Sequence, residues 1–137
     1  MLSVQNLEVV YQDVILVLRG VSFEIPKGKI VALLGSNGSG KTTVIRSITG
    51  LLDVQNGDIT KGTISVDGVD ITNLNPSKIV EKGIAQVLEG RRIFSELTVV
   101  ENLRLGGHTN SSQIQENIER VLDLFPALKE RTKGEAG

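Results

Sequence analysis

The chain has 137 residues, 39% of them apolar and 23% charged, which is the size and balance of one domain able to bury its own core. It has no cysteine, so a disulfide framework and a cysteine-ligated metal are excluded. A formal net charge of −1 leaves no overall field to draw in nucleic acid or an acidic membrane, and no nucleic-acid partner is expected.

The first segment is not expected to be a signal peptide: it lacks both a positive n-region and an unbroken apolar run. It reads instead as β-type runs over residues 7–11, 14–18 and 21–25, separated by turns. Pro26, Lys27 and Gly28 predict a turn. Ile30, Val31, Ala32, Leu33 and Leu34 form a short, wholly apolar run, as expected of a strand buried on both faces of a parallel sheet. A glycine-rich loop follows. Beyond it Val44, Ile45, Ile48 and Leu52 recur at helical spacing, with Gly50 where a helix ends.

Residues 53–62 are polar and read as a turn. Thr63, Ile64, Ser65 and Val66 predict a strand entering a hairpin at Asp67 and Gly68. Asn75 and Pro76 open a short helix as N-cap and first-turn proline, and Gly83 closes it. Residues 84–88 predict another strand, and residues 98–105 a turn or two of helix. Ser112 and Gln115 fit a capping box for a last helix, whose apolar face would be Ile114, Ile118, Val121, Leu122 and Phe125. Pro126 ends or kinks it.

The chemistry concentrates in Gly35, Ser36, Asn37, Gly38, Ser39, Gly40, Lys41 and Thr42, which meet the pattern G-x-x-x-x-G-K-[ST] between an apolar strand and an amphipathic helix. Gly38 and Gly40 let successive N–H groups turn inward into an anion nest, and the helix start adds unpaired donors and a positive dipole end. Lys41 reaches the β- and γ-phosphates, the Thr42 hydroxyl ligates Mg²⁺, and Thr43 adds a hydroxyl at the α-phosphate. The expected cofactors are therefore ATP and Mg²⁺. The plain alternative is a glycine-rich strand-to-helix turn with an exposed lysine.

Residues 35–43 resemble the phosphate loop of ABC-transporter ATPases, which favour a small residue, Asn, Gly and a small residue at its inner positions. The resemblance runs on through residues 20–31, 83–94 and 97–103. Glu89, Gly90, Arg91, Arg92, Ile93 and Phe94 are similar to the ATP-binding subunits of branched-chain amino acid importers and their urea and short-amide relatives. The resemblance implies an α/β fold: a P-loop NTPase core of the ABC ATPase type, an N-terminal antiparallel β subdomain and the start of a helical subdomain, with the boundary near residue 95.

It also implies that Tyr11 stacks on adenine and that Glu89, not Gln86, holds the position linking the Mg²⁺ site to the membrane partner. Arg91 and Arg92 are expected near the permease contact. A second ATPase subunit, identical or related, is the other expected partner. The assembled protein is expected in the cytoplasm, on the inner face of the cell membrane. His108, the single histidine, is expected to be a loop residue and not a ligand. Ser95 and Val100 depart from the residues common in relatives, proline and glutamate, at positions away from the nucleotide.

The signature motif, the apolar strand ending in Asp-Glu and the switch histidine of that family are not found in these residues. The chain is thus expected to be the N-terminal part of such a domain, binding nucleotide weakly and hydrolysing it negligibly alone. Two alternatives share the phosphate loop. A truncated nucleotide-binding module without turnover fits the same residues. A small kinase or GTPase would need an Asn-Lys-x-Asp motif or a cluster of lid arginines, and neither is present.

Overall fold

A computed structural model describes residues 1–90, 92–132 and 134–136. The chain divides into two units, Met1–Gln86 and Val87–Gly137, each with its own internal packing.

The first unit is built on an antiparallel sheet in the order β2-β1-β3-β4, where β1 is Leu2–Tyr11, β2 Ile15–Ile25, β3 Gly57–Val66 and β4 Val69–Asp70. The β1–β2 turn places Gln12 and Asp13 at φ of 53° and 58°, the left-handed pair that a tight hairpin needs. Central β1 is hydrogen-bonded on both sides. Its Val4, Leu7 and Val9 are buried with Leu18, Ile64, Ile71, Leu52 and Val44.

Those three β1 residues do not share the parity of a regular strand. Strict alternation from Val4 would turn Asn6 and Glu8 inward. Asn6 instead has a φ of 49°, and the register slips between Val4 and Leu7 against β2 and between Gln5 and Glu8 against β3. The extra residue of this bulge returns Leu7 and Val9 to the core face. Its neighbours accommodate it: the Asn6 N–H donates to Ser22 Oγ at 2.8 Å. Gly62, at φ +89°, lies so close that a Cβ there would fall 2.4 Å from the Gln5 carbonyl oxygen.

Helix α1, Lys41–Thr49, ends at Gly50 in the left-handed conformation, as the sequence predicts. Helix α2, Pro76–Glu81, has Asn75 as N-cap, its side chain accepting from the Lys78 N–H. The 63–66 strand and its Asp67 hairpin are present, but β3 begins earlier, at Gly57, after a 3₁₀ turn at Asp53–Gln55. Polar residues suit β3 because it pairs with β1 along its whole length, so backbone bonds decide where packing does not. Likewise residues 14–25 are not two strands. Ile15–Ile25 runs through Gly20, whose φ of +75° absorbs an irregularity without breaking the ladder.

Two expected strands are not formed. Residues 29–36 carry no regular structure, and Ile30 and Leu34 are 101% and 88% exposed. Residues 84–88 are also irregular: Ile84 packs against the core, whereas Val87 is 99% exposed. Composition makes such runs suitable for a parallel sheet, but a strand exists only when another strand takes up its N–H and C=O groups. Among the described residues none pairs with these two.

In the second unit, helix α3, Val99–Gly106, opens with a capping box. The Thr98 hydroxyl accepts from the Glu101 N–H, and the Glu101 carboxylate accepts from the Thr98 N–H at 2.8 Å and hydroxyl at 2.7 Å. The Asn102 side chain ties the preceding loop to α3 by bonds in both directions with the Phe94 backbone. Helix α4 is Ile114–Leu124 and α5 is Pro126–Lys129. Ser112 does not cap α4: it lies in the 3₁₀ segment His108–Gln113, its hydroxyl donating to Asn110 Oδ1 at 3.2 Å. Ile118 is the buried centre of the α4 face. Phe125, expected on that face, leaves the helical conformation at φ −126°, ψ 74° ahead of Pro126 and is exposed.

Gly62→Ala should destabilise the first unit by about 2–5 kcal/mol, from left-handed strain plus overlap with the Gln5 carbonyl, measured by urea unfolding. In the second unit, the hydrogen bonds from the Thr98 hydroxyl and N–H, aided by Arg104, hold the Glu101 carboxyl below the usual glutamate range. Its support of α3 is therefore complete above that range and is lost as pH falls through the lowered value. Amide exchange in the first turn of α3 should accelerate on acidification through that window, and Glu101→Gln should flatten the dependence.

Candidate phosphate-binding site

The glycine-rich loop leaves residue 34 and enters α1 through two left-handed residues, Gly38 at φ +82° and Gly40 at φ +91°. Space as well as torsion demands glycine. A Cβ at Gly40 would fall 2.7 Å from Leu18 Cδ2, and one at Gly35 would fall 2.5 Å from Ser39 Oγ. The loop is thus seated against β2 and closed on itself, with the Ser39 N–H donating to the Ser36 carbonyl at 3.2 Å.

Gly40 caps α1 without a side-chain partner, and the first intrahelical bond runs from the Val44 N–H to the Gly40 carbonyl at 2.9 Å. The N–H groups before Val44 have no intrahelical acceptor, and the first turn contains no acid. This end of α1 thus offers unpaired donors and a positive dipole end, which suits an anion. Lys41 arches back over the loop, its ammonium donating to the Gly35 and Ser36 carbonyls at 2.8 and 2.7 Å. Its charge therefore stands over the same concavity as the N–H groups.

Two adjacent hydroxyls diverge. Thr42 is exposed at the mouth of the loop, whereas Thr43 is buried, and its Oγ1 accepts from the Tyr11 hydroxyl at 3.4 Å. The Thr43 carbonyl accepts from Ser47 Oγ at 2.8 Å, which stiffens this turn. Tyr11 ends β1, and its ring lies against Gly57 of β3. Tyr11 and the residues from Gly35 to Thr43 are thus brought together in one unit.

Of the remaining residues singled out in the sequence, Gln86 alone belongs to the first unit. Gln86 accepts from the Thr49 hydroxyl at 3.0 Å, at the far end of α1. Glu89 and Arg92 are exposed residues of the second unit, where the Arg92 Nε–H donates to the Glu89 carbonyl at 3.3 Å. Arg91 lies outside the described residues. His108 is exposed, with Nδ1 3.0 Å from the Leu105 carbonyl. Gly57 carries no local sequence signal, because only its contact with Tyr11 distinguishes it from other turn glycines.

Among the described residues no group of three or more acidic or histidine side chains is placed to hold a metal ion. One exposed threonine hydroxyl beside an anion nest fits a hard cation held mainly by phosphate and water oxygens, as Mg²⁺ commonly is.

The ABC transporter family model matches residues 18–135. The high-affinity branched-chain amino acid transport ATP-binding protein BraG of Pseudomonas aeruginosa is 43% identical over 128 residues, covering 93% of this chain and 53% of that protein. The probable branched-chain amino acid transport ATP-binding protein LivF of Archaeoglobus fulgidus is 36% identical over 122 residues, with 88% and 50% covered. The chain thus spans about half the length of these curated relatives. A nucleotide-free ATP-binding cassette of an ABC transporter superposes with a TM-score of 0.79 at 27% identity, covering 100% of this chain and 58% of that one. Another such cassette, in its ADP conformation, gives 0.81 at 27% identity, with 100% and 57% covered. The fold is that of the ABC ATPases, and the chain belongs to the ABC transporter family.

Proposed function

We propose that this chain is the ATP-binding portion of the ATPase subunit that powers import of branched-chain amino acids or related small solutes through a membrane permease. The observation that carries the ATP reading is the Lys41 ammonium arched over a loop whose two left-handed glycines open onto the free N-terminus of α1. Backbone N–H groups from Ser36 to Thr43 cradle the phosphates, and Lys41 exchanges its bonds to the Gly35 and Ser36 carbonyls for bonds to phosphate oxygens. Thr42, already exposed, supplies an oxygen to Mg²⁺, which when bound neutralises phosphate charge. Tyr11 offers its ring to adenine. The names of the relatives support the solute class.

Glu89 is proposed as a second contact to the Mg²⁺ shell, and Glu89, Arg91 and Arg92 as the region that meets the permease. A second ATPase subunit would pair with this one on the inner face of the cell membrane. Phosphoryl transfer depends on groups that position water and stabilise charge. The residues from Gly35 to Thr43 supply binding and orientation but no carboxylate. By itself the chain binds nucleotide without appreciable turnover.

Calorimetric titration should show Mg²⁺-dependent ATP binding, weakened more than about tenfold in Lys41→Ala, the loss of charge-assisted bonds to phosphate. Steady ATP turnover by the purified chain, abolished by the same substitution, would overturn the binding-only reading. Inactivating the gene should abolish uptake of labelled leucine while leaving sugar uptake intact; unchanged leucine uptake would overturn the solute class.

A further inference from the structure

We propose that Gly57 is a positioning residue for nucleotide binding: it is the seat that holds the Tyr11 ring in place for the base. The inference rests on the reading of Tyr11 as the adenine platform. Tyr11 stands directly opposite Gly57 across β1 and β3. A Cβ at Gly57 would fall 2.5 Å from Tyr11 Cε1, 2.9 Å from Cδ1 and 3.1 Å from Cζ. One edge of the ring therefore rests on bare β3 backbone, in space that any other residue would fill.

Backbone torsion does not account for this glycine. Gly57 is not among the residues with positive φ, so an L-amino acid could adopt its conformation. It is buried and paired within β3, where glycine ordinarily weakens a strand. What remains is close approach, an aromatic side chain covering a cross-strand glycine.

The other end of the same ring approaches α1. The Tyr11 hydroxyl reaches Thr43 Oγ1, in the first turn of the helix that carries the phosphate donors. With its edge on Gly57 the ring is oriented before any base arrives, and less side-chain freedom remains to be lost on stacking. A side chain at residue 57 would lever the ring off its seat and away from Thr43 Oγ1 while leaving the backbone donors of residues 35–43 in place. The base and phosphate contributions to affinity should therefore separate.

Tyr11 is the only tyrosine and the chain has no tryptophan, so intrinsic emission reports this ring alone. The experiment titrates ATP and inorganic tripolyphosphate into the chain, Gly57→Ala, Tyr11→Ala and the double variant, following affinity and, where Tyr11 is present, its emission. ATP should quench the emission of the unsubstituted chain and tripolyphosphate should not. Gly57→Ala should weaken ATP binding about tenfold, the scale of one base–aromatic stack, and lose the quenching, with tripolyphosphate affinity unchanged. The double variant should bind ATP no more weakly than Tyr11→Ala.

Quenching and affinity retained in Gly57→Ala, or a further loss in the double variant, would overturn the inference while leaving the Tyr11 reading intact. No quenching in the unsubstituted chain would overturn both. If Gly57→Ala does not fold, removing the ring in the double variant should restore folding; failure to restore it would overturn the inference too.

Discussion

Gly40 has a φ of +91°, and a methyl group there would fall 2.7 Å from Leu18 of β2. That contact joins three parts of the first unit: the antiparallel sheet, the phosphate loop and α1. Because the backbone runs against the sheet, α1 starts at a defined place, with its first N–H groups left without intrahelical acceptors. Because the torsion is left-handed, the chain reverses sharply enough for Lys41 to reach back to Gly35 and Ser36. A larger residue would push the helix start from the sheet and separate the lysine from the donors it works beside.

The same sheet positions the other end of the site. The bulge at Asn6 restores Leu7 and Val9 to the core, and the following residues carry Tyr11 to the end of β1 beside Gly57. Its hydroxyl meets Thr43, next to the exposed Thr42. Two neighbouring threonines on one helix turn thus divide their work by direction, one toward the sheet and the ring, one toward solvent. A helix separates consecutive side chains by about a hundred degrees, which makes that division unavoidable once Val44 is in the core.

Much of this was legible in the chain. Apolar spacing located α1, Asn75 and Pro76 located α2, and the glycine pattern located the phosphate loop, because each signal is local and expresses itself within a few residues. The signal at Ser112 misled for a related reason: a capping pattern names a capable residue, but the backbone starts the helix where its own bonds allow, at Ile114. The apolar runs at 30–34 and 84–88 misled more deeply. Composition shows that a segment is suited to a buried strand, yet pairing is a property of two segments at once.

The chemistry of the loop is written locally in the chain, since glycine torsions, a lysine and hydroxyls at fixed offsets act through bonds their own backbone supplies. Tertiary structure alone decided what surrounds it: the bulge that sets which β1 residues are buried, the contact of Gly40 with Leu18, and the seat of Tyr11 on Gly57. Those depend on atoms far apart in the chain meeting within van der Waals distance, and close packing has no local signature to read.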